Sequence, residues 1–142
     1  MYYKEIRVWV PDEEVLNIRF LKHEKFFVYN FLNKPYIITA KISDTKNFIG
    51  FGIDGNIYLL DREKNSEIYV SSALAVFGRQ LKLYRDLTAP RDRDDENSLK
   101  LEDFKKQIRE LDNNAFLNEN NFWSEVLRRS ELDDFIYEVK KW

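Results

Sequence analysis

Gly50-Phe51-Gly52-Ile53-Asp54-Gly55 holds three of the chain's four glycines and matches the G-x-G-x-x-G pattern of nucleotide-binding loops. The dinucleotide version needs a helix directly after the glycines, so that its N-terminus can face a pyrophosphate. The next residues here are Asn56-Ile57-Tyr58-Leu59-Leu60-Asp61, a run rich in β-forming residues, and Asp54-Gly55 is a two-residue hairpin signal. The glycines therefore belong to a β-hairpin. Protein kinases also place such glycines in a hairpin, but their metal-binding and catalytic-loop motifs are absent and 142 residues is too short for that enzyme. With Ile53 and Asn56 flanking a two-residue turn, Ile49, Phe51 and Ile53 share a face with Tyr58 and Leu60. Gly50 and Gly52 then form a shallow trough on the opposite face with Ile57 and Leu59, and a closely packed element, in first place a helix, is expected to fill it.

Working outward, the N-terminal half reads as short strands. These are Ile6–Val10, ending at Pro11, then Leu16–Leu21 and Phe26–Phe31 around the polar turn 22–25. Asn33-Lys34-Pro35 is read as a break before Tyr36-Ile37-Ile38-Thr39-Ala40-Lys41-Ile42, whose Tyr36, Ile38, Ala40 and Ile42 alternate onto one face. A last strand, Ile68-Tyr69-Val70, leads to Ser71-Ser72, either of which can cap a helix. From there the period changes: Leu74, Phe77, Leu81 and Tyr84 recur at helical spacing, with Gly78 on the same stripe and so suited to the trough at Gly50 and Gly52. Ser98 is read as the cap of a second helix carrying Leu101, Phe104, Ile108 and Leu111. A third, Asn-capped helix runs through Phe122–Leu127, with Trp123 read as core, and a short further helix takes in Leu132, Ile136 and Val139. Strands first and helices afterwards predict a single α+β domain over residues 1–142. About six strands form its mainly antiparallel sheet, packed by the C-terminal helices.

Composition narrows function by exclusion. There is no Cys, hence no disulfide, thiolate metal site or thiol nucleophile, which fits a reducing cytoplasm. No apolar run reaches signal-peptide or membrane-span length, so no membrane partner is expected. The 23 Lys and Arg are interspersed among 25 Asp and Glu, a net charge of −2, which argues against direct binding of nucleic acid. His23 is the one histidine and lies in a Lys-and-Glu turn, so neither a Ser-His-Asp set nor a paired-histidine metal site can be assembled. Asp92-Arg93-Asp94-Asp95-Glu96 begins like a calcium loop, but position six is Asn97 where Gly is needed and position twelve is Asp103 where Glu is usual. No metal, cofactor or catalytic residue is assigned.

The run from Phe48 to Tyr84, followed by Ile108-Arg109-Glu110-Leu111-Asp112 and Phe122-Trp123-Ser124-Glu125-Val126-Leu127, resembles the SUKH superfamily of bacterial immunity proteins. In particular it is similar to the class in which a helix opening on small residue, Ser, Leu and Phe follows the sheet and a Phe-Trp-Ser helix ends it. The first 30 residues depart from that pattern. The resemblance implies a SUKH-like fold and a cytoplasmic, non-catalytic antitoxin that binds a cognate polymorphic toxin domain, commonly a nuclease or nucleic-acid deaminase. A regulatory protein-binding scaffold, or an enzyme with an unfamiliar carboxylate site, are the alternatives. Toxins acting on nucleic acid carry positive charge at their active sites. The expected contact residues are therefore the acidic loop Asp92, Asp94, Asp95 and Glu96, with Trp9 as an aromatic anchor.

Overall fold

Among the described residues, six short strands followed by three helices are built in the order that the change of period predicts. The computed structural model describes residues 14–89 and 99–140. The strands are β1 (Ile18–Phe20), β2 (Phe27–Phe31), β3 (Lys34–Ile42), β4 (Phe48–Phe51), β5 (Ile57–Asp61) and β6 (Ser66–Ser71), and the helices are α1 (Leu74–Leu87), α2 (Leu101–Leu111) and α3 (Phe122–Lys140). A 3-10 turn, His23–Lys25, separates β1 from β2. The candidate strand Ile6–Val10 lies outside the described residues, and the expected Ser98 cap is corrected, since α2 begins after Lys100, which holds the N-cap position without a side-chain hydrogen bond.

All six strands form one antiparallel sheet, in the order β1-β3-β4-β5-β6 with β2 also on β3. β3 is long enough to hold both short strands end to end along one edge. β1 pairs with its C-terminal half through Ile18 and Ile42, and β2 with its N-terminal half through Tyr29 and Tyr36. The two halves of β3 do not share a face. The register against β4 shifts between Ile38 and Ala40, leaving Thr39 as the extra residue of a bulge whose carbonyl accepts the Leu21 N–H at 2.9 Å. Tyr36 and Ile38 therefore point to one side of the sheet and Ala40 and Ile42 to the other, so the single face expected for these four residues is corrected. The break expected at Asn33-Lys34-Pro35 also moves: the turn is Leu32-Asn33, both with positive φ, and Lys34 and Pro35 already belong to β3.

The glycine hairpin differs from the sequence reading by one residue. Phe51 pairs with Ile57, Gly50 with Tyr58 and Phe48 with Leu60. The loop is the three residues Ile53-Asp54-Gly55, closed by Gly52 N–H to Asn56 O at 3.1 Å and Gly55 N–H to Gly52 O at 3.0 Å, with Gly55 at φ 82. This is the turn-plus-bulge form of hairpin, which needs glycine at its left-handed position. Because side chains alternate with a period of two, the slip exchanges every partner's face. Ile49 and Phe51 face the same side as Leu59 and Ile57, whereas Gly50 lies with Tyr58 and Leu60.

The Ile49 side carries the main core. Ala40, Ile49, Phe51, Ile57 and Val70 from the sheet pack against Leu74, Phe77 and Leu81 of α1, Phe104 and Ile108 of α2, and Trp123 and Val126 of α3. Trp123 is fully buried, as expected, against the rings of Phe77, Phe104 and Phe122, and its indole N–H donates to Gln80 Oε1 at 2.9 Å. α1 starts after Ala73 with no side-chain cap. Ser71 is the buried last residue of β6, so the expected serine cap is corrected. The tail helix is not separate. No Gly or Pro interrupts Phe122–Lys140, Glu125 pairs with both Arg128 and Arg129, and α3 continues for 19 residues. Its second half leaves Leu132, Phe135, Ile136 and Val139 exposed.

Candidate functional site

No described helix covers the other side of the sheet. That face carries a smaller cluster of Phe31, Tyr36, Ile38 and Leu60, bordered by the partly buried Leu21, Phe27, Tyr29, Phe48 and Tyr58. Its organisation depends on the two glycines. A Cβ on Gly50 would stand 2.5 Å from the Ile37 carbonyl oxygen and 3.0 Å from Ile38 Cδ1, and one on Gly52 would stand 3.5 Å from both the Tyr36 and Tyr58 rings. The trough is thus real, but residues of β3, not the helix with Gly78, approach it. The Tyr36 ring lies over Gly52, 6.0 Å from the Tyr58 ring, and its hydroxyl donates to Glu67 on β6.

A row of edge-on aromatic rings results. Phe31 meets Tyr36 at 6.5 Å, Tyr36 meets Tyr58 at 6.0 Å and Tyr58 meets Tyr69 at 6.0 Å, spanning the sheet from β2 to β6. Such pairs contribute roughly 0.5–1.5 kcal/mol each beyond their buried area. Each of the three tyrosines has its hydroxyl held by a carboxylate: Tyr36 by Glu67, Tyr58 by Asp54 at 2.6 Å and Tyr69 by Asp112 at 2.8 Å. Burial, and after it the hydrogen bond to Asp54, raises the Tyr58 hydroxyl above the ordinary tyrosine range; burial and then Asp112 do the same for Tyr69. The neutral phenols are therefore fixed donors. At the far end of the face, the Arg62 guanidinium sits 4.9 Å over Phe48 and 5.4 Å over Tyr29 and donates to the Lys46 carbonyl at 3.1 Å.

At the near end the face opens into a hollow of about 280 Å³, lined by Lys34, Tyr36, Ile53, Asp54, Tyr58 and Glu67 among others. The hairpin tip beside it is rigid, since Asp54 accepts the Asn56 N–H at 3.0 Å as well as the Tyr58 hydroxyl. Lys34 Nζ reaches Glu67 at 3.7 Å from a side chain that is 64% exposed, a weak pair. Among the described residues no three His, Cys, Asp or Glu side chains form a group that could hold a metal ion, and no helix is long and apolar enough to cross a membrane. Asp54 and Glu67 each already hold a tyrosine hydroxyl, so the arrangement offers recognition by shape, aromatic surface and fixed hydrogen-bonding groups.

The expected contact residues Trp9, Asp92, Asp94, Asp95 and Glu96 lie outside the described residues. Sequence reasoning did not single out Tyr36, Asp54, Tyr58 or Glu67. Their one legible signal was the glycine trough, which requires something to lie on it. The motifs that carry the superfamily resemblance serve instead to close the fold. Asp112 ties the end of α2 to Tyr69 on β6, Trp123 ties α3 to Gln80 on α1, and the Ser124 hydroxyl donates to the Asn118 carbonyl at 2.8 Å.

Among the described residues, the fold is a one-sheet α+β domain with its helices on one face and an aromatic, acid-rimmed cluster on the other. Residues 40–129 match the model of the SUKH-4 immunity protein family, and the chain belongs to that family, a member of the SUKH superfamily. Membership assigns it a toxin-immunity role. No curated protein and no solved structure matches the chain.

Proposed function

We propose that the protein is a non-catalytic antitoxin that binds and neutralises a cognate bacterial toxin domain acting on nucleic acid, a nuclease or a nucleic-acid deaminase. The observation that carries this reading is the sheet face on which no described helix packs, where the half-buried Tyr58 and Tyr69 are pinned by Asp54 and Asp112 beside the buried Tyr36. Aromatic rings with restrained hydroxyls are effective interface anchors because little side-chain freedom is lost on binding. Near-balanced, interspersed charge favours a protein partner over direct contact with nucleic acid or a membrane. The acidic loop Asp92, Asp94, Asp95 and Glu96 supplies long-range attraction toward a basic active site, with Trp9 as a further contact. Co-purification with the toxin domain encoded by the neighbouring gene, and loss of that domain's activity on DNA, RNA or their bases upon stoichiometric addition, is the test. A toxin domain that neither binds nor loses activity refutes it.

A further inference from the structure

We infer that the toxin docks at the end of this sheet face bounded by two exposed hairpin tips, and that the hollow there receives a guanidinium side chain from a basic loop of the toxin. This rests on the toxin-binding reading above. Leu32 of the β2–β3 turn and Ile53 of the β4–β5 loop stand at the same end of the sheet, because Ile37, three residues into β3, pairs with Phe51, the last residue of β4. Both are apolar where folding asks for something else. Leu32 adopts φ 51 in a two-residue turn whose chemistry favours Asn or Gly, and it remains 49% exposed. Ile53 is 87% exposed on a loop held by Asp54, so it gains nothing from burial and is displayed on a rigid support. Ile53 lines the hollow and Leu32 projects at the same end of the sheet, and together they form an anchor surface.

The chemistry of the hollow selects the occupant. Two tyrosine rings and the carboxylates of Asp54 and Glu67 line it, against one cation, Lys34, in a weak exposed pair. An arginine both stacks on aromatic rings and forks onto carboxylates, which a lysine does less well. The same face shows this at its other end, where the chain's own Arg62 stacks on Tyr29 and Phe48. A toxin that grips phosphates supplies such cations at the surface an antitoxin must cover. An incoming guanidinium displaces Lys34 from Glu67.

The test measures affinity for the catalytically inactivated toxin domain encoded by the neighbouring gene, using the parent and the exposed-site variants Ile53→Ser, Asp54→Asn and Lys34→Ala, each first checked for an unchanged melting temperature. Asn keeps the turn-forming acceptor while removing the charge. Ile53→Ser and Asp54→Asn are expected to weaken binding about tenfold or more, the Asp54→Asn loss shrinking at high salt, and Lys34→Ala to bind equally or more tightly. A parent that binds while Ile53→Ser and Asp54→Asn bind as well as it does overturns the docking surface and leaves the toxin reading standing. Weaker binding by Lys34→Ala overturns the cation assignment. A parent that does not bind overturns the toxin reading and the surface with it.

Discussion

The Tyr36 hydroxyl on β3 donates to the Glu67 carboxylate on β6, across two intervening strands. It can do so because Gly52, just past the end of the neighbouring strand, has no side chain and leaves the Tyr36 ring a bed. One contact thus links the strand nearest the N-terminal edge to the last strand before the helices, and it shapes the face on which recognition is proposed.

The two glycines should differ sharply in their tolerance of a methyl group. A Cβ on Gly50 meets a backbone carbonyl at 2.5 Å, which only strand movement can relieve; on Gly52 its nearest neighbour is the Asp54 Oδ1 at 3.3 Å. Gly50→Ala is expected to cost about 1–3 kcal/mol by overpacking, and Gly52→Ala clearly less. Thermal melts of the two variants decide it, and equal melting temperatures would be incompatible with this geometry.

Trp123→Ala should destabilise by about 3–5 kcal/mol, since it empties a site walled by three aromatic rings. Trp123→Phe also strands Gln80 Oε1 without its donor, at roughly 1–3 kcal/mol, and adding Gln80→Leu should recover part of that loss. Urea denaturation of the two single variants and the double variant measures the coupling. Strict additivity would show that the hydrogen bond contributes nothing.

The phenols set an alkaline limit on stability. Tyr58 and Tyr69 are raised by burial first and by their carboxylate partners second, and Tyr84 by burial and then by Asp133. A folded-state value above the unfolded one favours the protonated form. The contribution is therefore complete below about pH 10 and fades as pH rises through the folded values. An absorbance titration of the native protein should show late-ionising tyrosines, with part of the late signal removed by Tyr69→Phe. Ionisation of all the tyrosines near their ordinary value would contradict this.

If the acidic loop steers association, replacing Asp92, Asp94, Asp95 and Glu96 together with Asn, Gln or Ser should slow binding to the toxin domain at low salt and flatten its salt dependence. Stopped-flow association rates report this directly. Rates equal to the parent's would move the steering charge elsewhere, with Asp54 and Glu67 the next carboxylates to neutralise.

Local chemistry in the chain determined that the glycines make a hairpin, because Asp54-Gly55 can turn and no helix comes after them. It also determined the strands-then-helices order, the stripes of α1 and α2, and the burial of Trp123, since each rests on residue type and period alone. It left the choice of side undecided. β4 and β5 are apolar on both faces, so no polar alternation favoured one register over the next, and a loop of two residues or three differed by a single slip. The bulge at Thr39 was equally silent, because the extra residue is defined only by its partner strand. Both were settled when the helices took one face of the sheet for the large core. Tyr36, Tyr58, Asp54 and Glu67 were thereby brought from three strands and a loop onto the other face, a juxtaposition that only long-range pairing creates.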